Sequence, residues 1–210
     1  MKDLKVKNYK DDARKTFDKM AVKYEKHYYG SQSRIMYKKV ALKIEKFKNE
    51  FILDLGCGKG LFLEIIKGYK SKLYGADISP EMIKCAQERV GNYAELKVAD
   101  SENLPWVENT FDLIVCILSF HHFPNPEKSL NEMKRVLINN GHVTFAELWI
   151  PAPLRYLTNL YMRSKFNRTG DVKVYSKNEW LNMLTNTGFI NINIEKTNSI
   201  YLIISAEITK

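Results

Sequence analysis

The sequence predicts an α/β domain, a mostly parallel sheet with helices on both faces. Three observations carry this expectation. From residue 50 onward short apolar runs alternate with amphipathic stretches, the pattern of buried parallel strands joined by crossover helices. The run Ile52-Leu53-Asp54-Leu55 passes directly into a loop with glycine at every second position, Gly56-Cys57-Gly58-Lys59-Gly60, and apolar residues resume in Leu61-Phe62-Leu63-Glu64-Ile65-Ile66. Acids stand at three strand ends, Asp54, Asp77 and Asp100, where a parallel sheet gathers its ligand contacts.

The elements follow in order. Phe17, Met20 and Tyr24 recur at helical spacing and predict a helix over 10–28; Ile35, Met36, Val40, Ile44 and Phe47 predict another over 33–48. Strands are expected at 50–55, 71–77, 94–99, 111–117 and 141–148, with helices at 60–67, from Ser79-Pro80 to about Val90, and at 126–138. Ser79 is a candidate cap and Pro80 suits a first helical turn. A helix over 176–187, closed by Gly188, leads to strands near 189–197 and 200–208, which a short turn at Asn198-Ser199 makes antiparallel. One domain results: an N-terminal helical cap (1–48), a ligand-binding core (49–150), an insertion (151–178) and a C-terminal helix with its hairpin (179–210). The insertion opens on Pro151 and Pro153. It carries Tyr156, Leu157, Leu160, Tyr161, Met162 and Phe166, with Arg155, Arg163, Lys165, Arg168, Lys173 and Lys177 against Asp171. A long connection at the carboxyl end of a strand reads as a helical lid.

Composition bounds the function. The chain has 210 residues, 45% of them hydrophobic, enough for one ordinary core. No stretch is apolar and long enough to cross a bilayer, and Met1-Lys2-Asp3-Leu4-Lys5 does not open a signal peptide, so cytoplasm is the expected compartment. Cys57, Cys85 and Cys116 lack metal-ligand spacing and fit a reducing compartment. The net charge of +9 gathers in residues 1–50, with 15 Lys+Arg against 7 Asp+Glu. These lysines alternate with acids and apolar residues, as on a solvated helical face.

The glycine loop is a nucleotide-binding turn, because glycines accept positive φ and let a ligand approach the backbone. A nicotinamide dinucleotide would use such a loop, with Asp77 on its ribose. Asp54 separates the two readings. A carboxylate before the loop repels a pyrophosphate and favours a cation, and S-adenosylmethionine (SAM) carries a sulfonium and an ammonium but no phosphate. Asp100-Ser101 ends the third strand and can accept from an exocyclic amino group. After the fourth strand, Leu118-Ser119-Phe120-His121-His122-Phe123 brings two histidines, which titrate near neutrality, to the same edge.

On the stretches Leu53 to Gly60, Gly75-Ala76-Asp77-Ile78-Ser79, Ala99 to Pro105, and Phe111-Asp112-Leu113-Ile114 through Leu137-Ile138-Asn139-Asn140-Gly141, the chain resembles the class I SAM-dependent methyltransferases. The likeness is to the broad small-molecule group that includes the ubiquinone/menaquinone-biosynthesis C-methyltransferases and covers roughly residues 17–208. It implies a Rossmann-like, seven-stranded, mostly parallel sheet in the order 3-2-1-4-5-7-6, with the last strand antiparallel. It further implies that Asp54, Gly56, Cys57 and Gly58 line the methionine moiety, Asp77 binds the ribose, and Ile78 faces the adenine. Asp100 and Ser101 would meet the adenine edge, Leu118 would contribute backbone, and Tyr24 would reach the SAM carboxylate. S-adenosylhomocysteine would be the product. Lys59 stands where this family usually has Thr or Ser, and Glu25 where an Asp usually follows the aromatic residue.

Methyl transfer is an in-line displacement in which the protein supplies alignment, a dry site and, where the acceptor must lose a proton, a base. His121 and His122 are the candidates for that base or for orienting the acceptor. No metal is expected, since no convincing carboxylate cluster stands at this edge. The Asn/Asp-Pro-Pro-Tyr sequence of nucleic-acid amino methylation and the Pro-Cys nucleophile of cytosine methylation are both absent after the fourth strand, so the expected acceptor is a small molecule, anionic or partly apolar. Two alternatives stay open at this level: a nicotinamide-dependent oxidoreductase and a SAM-binding protein without turnover.

Overall fold

The computed structural model describes residues 8–21, 28–47, 50–197 and 200–210, with the side chains of 28–33 left out. Seven strands form one sheet: β1 (Phe51–Leu55), β2 (Lys72–Asp77), β3 (Ala94–Val98), β4 (Phe111–Ile117), β5 (Leu137–Leu148), β6 (Phe189–Lys196) and β7 (Tyr201–Ile208). Their order is β3-β2-β1-β4-β5-β7-β6. The first five are parallel, and β7 runs antiparallel to both β5 and β6. The expected order and the reversed last strand are both present.

The described helices are α1 (Tyr9–Met20), α2 (Tyr28–Ile44), α3 (Leu61–Ile66), α4 (Pro80–Val90), α5 (Pro126–Val136), α6 (Ala152–Arg163) and α7 (Lys177–Asn186). Local chemistry fixes several starts. Ser79 accepts from Met82 N and Pro80 follows it, as expected for α4. Ser176 and Glu179 close a reciprocal capping box on α7. The Asn8 side chain accepts from Asp11 N at the start of α1.

Strand β4 shows why its sequence from Leu113 to Ile117 is uninterrupted apolar. Phe111, Ile114 and Cys116 face a core shared with α5 and α7, which contains Phe120, Phe145, Trp180 and Leu184. Leu113, Val115 and Ile117 face a second core with Met36, Val40, Phe62 and Ile66 from α2 and α3. A strand buried on both faces leaves no position for a polar residue.

Three boundaries differ from expectation. Strand β5 begins at Leu137, not Gly141, because the fully buried Leu137 pairs with Phe111; the register then shifts, and Asn140 adopts φ 60. The helix expected over 126–138 therefore stops at Val136. Helix α2 begins at Tyr28, ahead of the expected start at 33. Residue 21 is a turn after α1; residues 22–27, with Tyr24 and Glu25, and the turn at Asn198-Ser199 lie outside the described residues. Among the described residues no helix is long and apolar enough to cross a membrane.

Trp180 anchors the first core. It is 1% exposed, and its ring lies 4.6 Å from Phe120, 4.9 Å from Phe145 and 5.9 Å from Tyr175. Trp180→Ala is expected to cost about 3–5 kcal/mol, the range for deleting a buried large aromatic. Denaturant unfolding of the variant checks this, and a loss below about 1 kcal/mol would show that Trp180 does not anchor the core.

Candidate active site

The carboxyl ends of β1 to β4 open onto a cleft. The loop after β1 forms its floor. Gly56 N and Cys57 N both donate to Ala76 O, at 2.7 and 2.9 Å, and Gly58 N donates to Asp77 Oδ2 at 2.9 Å. The loop is thus pinned to the end of the neighbouring strand. Gly56 has φ +78, and a Cβ there would stand 2.3 Å from Ser119 Oγ. Gly58 also has positive φ, but the space a Cβ would take is open, leaving bare backbone for a ligand. Leu118, at the end of β4, holds φ 53. A bulky residue in that region is strained, and such strain gathers at functional sites.

Gly56, Gly58, Asp77, Ile78, Asp100, Ser101 and Leu118 all line the cleft, as does Lys59. The Cys57 side chain does not. It is 5% exposed, packs against Gly75, and burial pushes its thiol far above the ordinary value. Any contact from Cys57 to a ligand in the cleft therefore falls to its backbone. Asp54 stands behind the cleft wall, 2% exposed, and its Oδ2 has no hydrogen-bond partner. Burial, with the charge of Asp77 added, pushes this carboxyl up to about 8. Asp77 rises to about 6, burial outweighing the amides of Ser79 and Gly58 that favour its charge.

Helix α1 covers the cleft through Lys10, Ala13 and Phe17. Lys10 Nζ meets Asp100 Oδ2 at 2.6 Å and Glu102 Oε1 at 2.9 Å. Ser79 Oγ donates to Asp18 Oδ1 at 2.6 Å. Thr16 Oγ1 donates to Arg168 O, and Gly170, with φ +80, lies so close that a Cβ would stand 2.5 Å from Ala13. The expected lid, 151–178, divides into α6 and an irregular loop, and neither lines the cleft. The loop reaches the site through Asp171.

A short 3-10 turn, Phe120–His122, carries the histidines. One carboxylate from β5 holds it: Glu147 Oε1 accepts from Phe120 N at 2.8 Å, and Glu147 Oε2 lies 2.8 Å from His121 Nδ1. Burial opposes charge on His121, yet Glu147 and Asp171 hold it above the ordinary histidine value. His122 lines the cleft edge-on to Phe17, with ring centroids 5.0 Å apart. Its Nδ1 lies 3.3 Å from Asp171 Oδ1 without a hydrogen bond, and burial together with His121 pushes it down to about 4. His121, His122 and Asp171 together bring three donor atoms within 4.8 Å of one another.

The residues brought together here fit the cofactor that the sequence suggests. Carboxylates tip β2 and β3, the loop presents open backbone at Gly58, and an orphaned buried carboxylate oxygen waits behind it for a cation. A methyltransferase domain model matches residues 53–145. The demethylmenaquinone methyltransferase of Thermotoga maritima is 30% identical over 158 residues, covering 72% of this chain and 68% of that protein. The chain belongs to the SAM-dependent methyltransferases. The crystal structure of a SAM-dependent methyltransferase from Aquifex aeolicus, 26% identical, superimposes with a TM-score of 0.64 over 82% of this chain and 89% of its own. An uncharacterised protein of Methanocaldococcus jannaschii is 33% identical over 61% of this chain, and the match spans about half of that protein, 49%.

Sequence reasoning missed Glu147, Asp171 and Lys10 in this methyltransferase. Glu147 had a signal, a lone acid in the apolar run Thr144-Phe145-Ala146-Glu147-Leu148. Lys10 had none, since its partner is 90 residues away.

Two outcomes follow. Gly56→Ala is expected to cost about 1–3 kcal/mol from backbone strain alone, with the overlap on Ser119 added. A variant that melts and binds SAM like the parent would show that the loop tolerates a side chain there. For Asp54, the folded chain keeps its proton up to about pH 8, while the unfolded chain releases it near 4. At this group the unfolded state then binds fewer protons, so the contribution of Asp54 to the stability of the ligand-free protein falls as pH rises from about 4 to about 8. Asp54→Asn is expected to melt with the parent near pH 4 and above it at pH 8. Parallel melting curves at the two pH values would remove Asp54 as the source of that loss.

Proposed function

We propose that this chain transfers the methyl group of SAM to a small-molecule acceptor that enters beside His122. The observation that carries this reading is the pairing, across one cleft, of a carboxylate-tipped nucleotide side with a histidine-aromatic side. When bound, SAM supplies an electrophilic sulfonium methyl, and its loss leaves S-adenosylhomocysteine.

The chain's own residues supply binding and alignment. Asp77 faces the ribose hydroxyls, Ile78 the adenine face, and Asp100 with Ser101 the adenine edge. Gly56 and Gly58 present backbone to the methionine part, with Asp54 behind them for its ammonium. That ammonium would draw Asp54 toward its ionised form and relieve the cost of a buried, unpartnered carboxyl. Tyr24 remains our candidate for the SAM carboxylate. Phe17, Phe123 and Leu118 make an apolar wall that excludes water on the acceptor side. His122 offers the acceptor a polar contact there, and the Glu147 carboxylate fixes the turn from which it projects. His121 is a positioning residue in this reading, since it does not line the cleft.

The acceptor is proposed as anionic or partly apolar. The wall of Phe17, Phe123 and Leu118 supports the partly apolar class.

Asp77→Ala is expected to weaken SAM binding by about 1–3 kcal/mol, the scale for losing a charged hydrogen-bond partner. Calorimetry giving unchanged affinity would refute its ribose role. His122→Ala should lower turnover far more than SAM affinity. If a metabolite panel gives equal rates for parent and variant, His122 leaves the mechanism; tight SAM binding with no turnover on any acceptor would point to a binding protein instead.

A further inference from the structure

The solvent-facing side of α6 is apolar, the reverse of an ordinary surface helix. Leu154, Tyr156, Leu157, Leu160 and Tyr161 are 57% to 70% exposed, and Phe166 just beyond the helix is 71% exposed. The other side of α6 is held inward: Met162 is buried, Asn159 exchanges hydrogen bonds with the Val174 backbone at 3.0 and 2.8 Å, and Arg155 donates to Ile150 O. Helical spacing puts Leu157 and Leu160 at the centre of the outward side, with Tyr156 and Tyr161 flanking them. A contiguous patch of this kind on a globular surface marks a contact site.

Charge identifies the occupant. Between Glu147 and Asp171 the chain has no acid at all, and it carries Arg155, Arg163, Lys165 and Arg168. Arg163, Lys165 and Arg168 are exposed, and none has an acidic partner among the described residues. A second copy would set this cationic face against itself, on a chain already at +9. Leucines at the centre, tyrosines at the flanks and arginines and lysine at the rim are the composition of a helix that lies in the headgroup boundary of an anionic bilayer.

We propose that α6 and the loop after it dock this protein on an anionic lipid surface, the apolar side chains entering the headgroup region and the cations meeting lipid phosphates. The face lies at the same sheet edge as the cleft, because α6 follows β5 directly and the loop carries Asp171 back to the histidines. None of the docking residues lines the cleft, so the surface goes beyond the methyl-transfer reading and can be tested apart from it.

The test is co-sedimentation of the full chain with vesicles of phosphatidylcholine alone and of phosphatidylcholine mixed with phosphatidylglycerol. The parent is expected to pellet with the mixed vesicles and to stay in solution with the neutral ones. Leu157→Asp with Leu160→Asp should abolish pelleting. Arg163→Glu should weaken it by at least about fivefold, and Lys165→Glu by a similar factor, from the contribution of one cation near a charged surface. Circular dichroism and SAM titration of each variant should match the parent. The charge variants carry the test if the aspartate pair fails to fold. Parent protein that ignores both vesicles, or variants that pellet like the parent, would overturn the proposal. A concentration-dependent dimer lost in the aspartate pair, without vesicle binding, would assign the face to a second copy and overturn it equally.

Discussion

The ligand edge hangs from one peptide carbonyl. Ala76 O, at the end of β2, accepts from the amides of both Gly56 and Cys57. Those two bonds fold the chain back across the sheet edge immediately after β1, and the next amide, Gly58 N, reaches Asp77. Parallel pairing of β1 with β2, Leu55 opposite Ala76, sets the carbonyl where the turn needs it. Glycine at 56 is then obligatory, because Ser119 fills the space a side chain would take, and Ser119 is placed by β4 pairing on the other side of β1. The loop, the acid that follows β2 and the strained Leu118 after β4 are consequences of one register, and a slip of one residue would separate them.

This arrangement carries a cost that its function explains. Two carboxyls, Asp54 and Asp77, are buried here, the charge of Asp77 adds to the proton affinity of Asp54, and one oxygen of Asp54 has no partner. Burying a carboxyl without a partner is unfavourable, and hydrophobic packing around β1 must offset it. A cationic ligand tail reverses the sign of the interaction. In the proposed reading, a bound ammonium would relieve the cost of the unpartnered Asp54 carboxyl. Helix α1 spans the same edge. Its Lys10 sits on Asp100, its Asp18 on Ser79 and its Phe17 on His122, so one helix partners polar and aromatic groups around the cleft. Partly exposed ion pairs such as Lys10–Asp100 contribute little each.

How much of this the sequence revealed follows from the range of each interaction. The glycine loop, the acids that end β2 and follow β3, and the cap Ser79 are local signals, and each is legible in the sequence. So is the sheet, because strands buried on both faces cannot hide their composition. The start of β5 is not: Asn139-Asn140-Gly141 reads as a turn, and only the pairing of Leu137 with Phe111 reveals a strand around a register shift. Helix α1 lines the cleft, and Gly170 and Arg168 brace it from far along the chain, a contact without any trace in local spacing. The apolar and aromatic residues of 151–178 are plain in the sequence, but composition cannot say which side of a helix finds a neighbour.

The two roles of the β5 edge constrain each other. Glu147 fixes the turn carrying His121 and His122 from one side, and Asp171 approaches the same imidazoles from the other. Asp171 belongs to the loop whose other end is α6, and Asn167 clamps that loop by donating to both Met162 O and Asp171 O at 2.7 Å. The loop therefore ties α6 to Asp171 through a short hydrogen-bonded segment with Asn167 buried at its centre. Asp171 Oδ1 stands 3.3 Å from His122 Nδ1, so α6 and the histidine side of the cleft share one segment of chain, while the loop after β1 hangs from Ala76 O on the opposite side.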